Sequence, residues 1–161
     1  MTQRSWLAIA TFALAACSSG TTASSPQANA GPAASAEVAV QGFMQAVADS
    51  NLARMSSLWG SSKGPASRTK EPPDYERRIV IMQAYLRDAP YRILSNLQDG
   101  ANPARRILQV ELQRDRCTKQ IPFTVVRANG GWLVNSIDLA LLGSPGANCD
   151  PDKPESGTSD R

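Results

Sequence analysis

From Ala36 onward the apolar residues follow two periods in turn, first helical and then strand-like. Ala36, Val40, Phe43 and Val47 recur at the spacing that gathers side chains on one face of a helix. Ser35 precedes them as an N-cap, and Glu37 lies in the first turn, where a negative charge suits the positive end of the helix dipole. Asp49-Ser50-Asn51 interrupts the pattern and offers new caps. Leu52, Met55 and Trp59 then begin a second, shorter stripe. Gly60 to Thr69 is expected as a loop, punctuated by Gly60, Gly64 and Pro65. Pro72-Pro73 begins a third helix, with Tyr75, Ile79, Met82 and Leu86 on one face and Glu76, Arg77 and Gln83 off it. Pro90 ends it.

Beyond Pro90 the period drops to two. Tyr91 to Leu97 is predicted as a strand, and Asp99-Gly100-Ala101-Asn102-Pro103 as a turn. Leu108, Val110 and Leu112 alternate with Gln109, Glu111 and Gln113, the pattern of a half-buried strand. After a turn at Asp115-Arg116, Ile121, Phe123 and Val125 form the inner face of a third strand, with Thr118, Gln120 and Thr124 outward. Pro122 lacks an N–H, which predicts an edge position or a bulge there. Asn129-Gly130-Gly131 signals a hairpin, and Trp132 to Leu139 reads as a last strand, apolar on both faces. Val126 and Val134 are expected on an outer sheet face, available to a dimer or a partner protein.

Helices followed by a four-strand meander define an α+β class, with N-terminal helices packed on a mainly antiparallel four-stranded sheet. The run Phe43-Met44-Gln45-Ala46-Val47-Ala48-Asp49-Ser50-Asn51-Leu52 leads into Met55-Ser56-Ser57-Leu58-Trp59. With the later Gly130-Gly131-Trp132-Leu133-Val134, it resembles the nuclear-transport-factor-2-like superfamily, which includes ketosteroid isomerases and many small exported domains. The resemblance covers Ala36 to about Leu139. It implies a curved sheet wrapping a long helix into a cystatin-like or ketosteroid-isomerase-like cone with an apolar cavity. Its motifs are set by pattern, so what it implies is a fold.

The first residues carry a different message. Arg4 precedes an apolar stretch from Trp6 to Ala16, shorter than the roughly 20 apolar residues that a spanning helix needs. Leu14-Ala15-Ala16-Cys17 resembles the lipobox of bacterial lipoprotein precursors. That resemblance implies a signal peptide over 1–16 and a Cys17 linked to diacylglycerol and N-acylated, since two or more chains anchor where one does not. The alternative is an ordinary secretory signal that leaves Cys17 a plain thiol. Residues 18–35 hold no charge and no large apolar side chain, so they cannot offset ordering entropy and read as a tether spanning roughly 20–25 Å. The expected organisation is a lipidated cysteine and tether over 17–35, a domain over 36–142 and an unstructured tail over 143–161. Ser18 after the cysteine fits the periplasmic side of an outer membrane, or the outer face of the cytoplasmic membrane in a host with one membrane.

If Cys17 carries lipid, Cys117 and Cys149 remain as a pair in an oxidising compartment. A bond between them closes a loop of about 32 residues, worth roughly 3–4 kcal/mol in the chain-entropy model. Two independent thiols are the alternative. With no His in the chain and only two such cysteines, a zinc cage is not supported, and no metal or other cofactor is expected.

A formal charge of +3, Arg4 included, is too small an excess to point to nucleic acid. The pairs Arg77-Arg78 and Arg105-Arg106 read as a solvated helix face and a loop-to-strand edge. Catalysis in an isomerase-like cone needs a carboxylate base and oxyanion donors. Tyr75, Tyr85, Asp74, Asp88 and Asp138 are the available groups, none in a matching motif. The absence of His removes the commonest general base. Trp59, Tyr75, Met82, Tyr85 and Trp132 are candidates to line a pocket for a small hydrophobic molecule, or else they fill the core. The expected role is therefore non-catalytic: an envelope-anchored module that binds a small hydrophobic ligand or an envelope protein, with a homodimer left open.

Overall fold

The computed structural model describes residues 32–114 and 117–145. Helix α1 spans Ala36–Ala48, and its Ser35 cap accepts from the Val38 N–H at 3.2 Å. Its buried stripe runs Ala36, Ala39, Val40, Phe43, Met44, Ala46 and Val47, the face the apolar spacing marks out. Helix α2, Leu52–Leu58, starts at Asn51, whose Oδ1 accepts from the Arg54 N–H at 2.9 Å. The expected loop holds more structure than its composition suggests. Strands β1 (Gly60–Ser61) and β2 (Gly64–Pro65) pair antiparallel, and α3 (Ala66–Thr69) follows directly. Helix α4, Tyr75–Leu86, begins two residues after Pro73 and buries Tyr75, Ile79, Met82 and Leu86.

Four longer strands complete the fold: β3 (Tyr91–Gln98), β4 (Arg105–Arg114), β5 (Cys117–Ala128) and β6 (Gly131–Ile137). They form an antiparallel meander in sequence order, an open sheet with β3 and β6 at its edges. The class is thus α+β, with α1 packed across all four strands. Phe43 of α1 and Leu108, Val110, Ile121, Phe123 and Val125 of the sheet belong to one buried cluster. Val134 and the α4 residues Ile79, Met82 and Leu86 join it. No helix among the described residues is long and apolar enough to cross a membrane.

The free edge of β6 is partly covered. Ala33 pairs antiparallel with Trp132 through two hydrogen bonds of 2.9 and 2.7 Å, and Trp59 bridges Val134 in parallel. A Cβ on Gly131 would lie 2.3 Å from the Ala33 carbonyl oxygen, and its φ is +154°, so glycine is what lets this segment close on the hairpin.

Three expectations are corrected by the sheet. Val134 does not share the outer face with Val126: it is fully buried in the main core, and Leu133 joins Val126 and Ala128 in a small cluster on the other face. The cause is a bulge, since Thr124 pairs with Ser136 and Val125 with Val134, which leaves Asn135 unpaired. Pro122 lies in β5, an interior strand, and not at an edge. It is tolerated because its carbonyl side faces Asp138, one residue past the end of β6, where no ladder partner asks for an N–H. Finally, β6 stops at Ile137, and Leu139 belongs to a 3₁₀ turn, Leu139–Leu142.

Candidate functional site

The bulge in β6 and the end of α2 meet at Trp59. Its backbone is fixed on three sides: its N–H donates to the Met55 carbonyl at 3.0 Å, its carbonyl accepts from Ala66 at 2.8 Å, and the residue bridges Val134. Next to it the bulge turns Asn135 toward Gly60, whose carbonyl accepts from Asn135 Nδ2 at 2.8 Å. A Cβ on Gly60 would sit 2.3 Å from the Gly64 carbonyl, so only glycine fits the tight β1–β2 hairpin that presents this acceptor.

Two grooves share Trp59 and Asn135 as a common wall. The first, about 380 Å³, runs between α4 and the end of β6. Trp59, Ile81, Met82, Ile137 and Leu139 give it an apolar floor, with Asp74, Arg77 and Arg78 at its rim. The second, about 480 Å³, lies against the β1–β2 hairpin and is lined by Ser61, Lys63, Glu71, Pro72 and Pro73. Both volumes fall in the range of small-molecule sites. A third groove of about 390 Å³ lies at the other end of α4, among Met44, Val47, Leu86, Pro90 and Tyr91. Burial there pushes the Tyr91 hydroxyl above its ordinary pKa.

The rim charges are mostly paired. Arg78 Nε donates to both Asp74 oxygens at 3.0 and 3.1 Å, and this bond above all holds the Asp74 carboxyl below its ordinary range. Lys63 Nζ reaches both Glu71 oxygens, at 2.8 and 3.1 Å. Arg77 is exposed and makes no ion pair among the described residues. One further group is unusual. Trp59 Nε1 is buried without any acceptor, and it is the one such side-chain atom found among the described residues. An unpaired buried donor forfeits its hydration and costs about 1–3 kcal/mol.

Of the five residues expected to line a pocket, the first groove brings together Trp59 and Met82. Tyr75 is buried in the core, and its hydroxyl donates to Glu76 Oε1 at 2.8 Å and accepts from Lys70 Nζ at 3.1 Å. Tyr85 is half-buried against the core, and Trp132 lies at the Ala33 bridge with the Arg127 guanidinium 5.7 Å from its ring centre. The aspartates Asp74, Asp88 and Asp138 are all exposed. Sequence reasoning missed Asn135, Arg77, Ile81, Ile137 and Leu139. The run Ile79-Val80-Ile81-Met82 was the available signal for Ile81, because Val80 and Ile81 fall off the buried stripe and are 51% and 40% exposed.

Cys117 is buried at the start of β5, and its sulfur is not free. Its expected partner Cys149 lies outside the described residues, as do Cys17 and the signal and most of the tether. No group of three or more His, Cys, Asp and Glu side chains placed to hold a metal occurs among the described residues. No protein-family model, curated protein or solved structure matches this chain.

Proposed function

We propose that this chain is an envelope lipoprotein, anchored through Cys17, whose domain is a nuclear-transport-factor-2-like module that binds a small apolar molecule at Trp59 without catalysis. The observation that carries the reading is the groove of about 380 Å³ with an apolar floor of Trp59, Ile81, Met82, Ile137 and Leu139. The order of helices before a four-stranded meander supports the family resemblance. An isomerase needs a carboxyl group desolvated and raised in pKa. The aspartates are exposed instead, and Asp74 is shifted downward, which favours binding over chemistry. A Cys117–Cys149 bond, fastening the tail to β5, belongs to the same proposal.

Two measurements test it. Mass spectrometry of the native N-terminus is expected to find acylated Cys17, and an unmodified Met1 or a bare Cys17 thiol would end the lipoprotein reading. The neutral dye N-phenyl-1-naphthylamine is expected to bind the full chain carrying Cys17→Ser with a fluorescence increase, and Ile81→Asp is expected to weaken that binding. Dye binding indifferent to Ile81→Asp would move the ligand site away from this groove.

A further inference from the structure

We infer that the ligand of the Trp59 groove is a free, single-chain amphiphile with one negative charge, its head at Arg77 and its chain along Ile81, Met82 and Ile137. The inference rests on the ligand-binding reading above and adds the chemical class. The charge balance of the lining carries it. Asp74 stands between two guanidinium groups, and Arg78 takes both of its oxygens. Lys63 and Glu71 neutralise each other in the adjoining groove. Arg77 is left as the uncompensated charge of the lining, a net of one positive. Asp138, between Ile137 and Leu139 in sequence, is exposed and lies off the lining.

The apolar part is equally directional. Ile81 keeps 40% of its surface exposed, on the turn that follows Arg77, so residues i and i+4 of α4 place a cation and an apolar side chain one above the other. The complementary molecule has an anion at one end and a hydrocarbon body behind it. A groove of about 380 Å³ takes one such chain more readily than a two-chain lipid.

Calorimetric titration of the full chain carrying Cys17→Ser, which removes competing acyl chains, compares decanoate, decanol and decyltrimethylammonium at low salt. Decanoate is expected to bind about threefold to fivefold more tightly than decanol, the scale of one solvent-exposed ion pair. The ammonium is expected to bind most weakly. Raising the salt to about 0.5 M should erase the preference, since screening then acts within a few ångströms. Arg77→Gln should bring decanoate down to decanol. Asp74→Asn, which releases Arg78, should strengthen decanoate.

If none of the three compounds binds, the ligand-binding reading itself fails. If decanol matches decanoate, or if Arg77→Gln leaves the preference intact, the anion assignment is overturned while an apolar groove stands. Vesicles of phosphatidylglycerol present the same charge in bilayer form. Vesicle binding lost in Arg77→Gln, without decanoate binding, would refute the free-ligand assignment in favour of a membrane surface.

Discussion

Replacing Trp59 by Phe is expected to leave stability nearly unchanged, although Trp59 is only 7% exposed. Large-to-small changes in a core ordinarily cost several kcal/mol, from lost transfer energy plus the cavity left behind. Here the loss is smaller. The ring shrinks by about 40 Å³, which at about 24 cal/mol per Å³ costs about 1 kcal/mol. The apolar area withdrawn adds about 1 kcal/mol more. Against this, the substitution deletes the buried N–H that has no acceptor, a relief of about 1–3 kcal/mol. The sum lies within about 1 kcal/mol of zero.

Trp132→Phe supplies the comparison. Trp132 is buried to a similar degree at 9% exposure, but its N–H is not stranded, and the change also weakens the Arg127 contact to its ring. That variant should lose about 2–3 kcal/mol. Urea unfolding followed by far-ultraviolet circular dichroism gives both values without relying on tryptophan emission. If Trp59→Phe costs as much as Trp132→Phe, with equal m-values, the N–H is satisfied by water in solution. The reasoning that this donor is stranded in the folded protein is then refuted.

Other consequences follow from particular contacts. Glu37, in the first turn of α1, accepts from Asn96 Nδ2, and Arg106 reaches Asn96 Oδ1 at 3.1 Å, so this network ties α1 to β3 and β4. The Asn96 bond, above all, lowers the Glu37 carboxyl below its ordinary 4.5. Its contribution is therefore present above about pH 4.5 and fades as the pH falls through the lowered folded value. Glu37→Gln should cost about 0.5–1 kcal/mol at pH 7 and flatten this part of the acid limb; an unaltered pH profile of unfolding would refute the linkage. Gly131→Ala should cost about 2–3 kcal/mol by pushing Ala33 off the hairpin, seen as faster hydrogen exchange at the Ala33 and Trp132 amides. On the proposed Cys117–Cys149 pairing, Cys149→Ser should lose roughly 3–4 kcal/mol, and two reactive thiols at Cys117 and Cys149 in unfolded, unreduced wild type would contradict that pairing.

The legible part of the fold is the part governed by local rules. Ser35 and Asn51 announce their helices because a side-chain oxygen beside an unpaired N–H is a short-range matter. The alternation of Leu108, Val110 and Leu112 marks a sheet face for the same reason. The β1–β2 hairpin escaped because its strands are two residues each and bury little that a pattern would register.

The amino-acid sequence by itself determined the class, the starts of α1 and α2 and the buried faces of α1, α4 and β4, since periodicity and capping act within a few residues. Tertiary structure decided the site. A single bulge at Asn135 shifts the register of β6, moving Val134 into the core and aiming Asn135 at Gly60. Trp59 finds Val134, and Arg77 and Ile81 find Ile137, only because α2, α4 and β6 converge across more than fifty residues of chain. The stranded indole N–H is likewise invisible in sequence: whether a donor has an acceptor depends on what distant segments bring beside it.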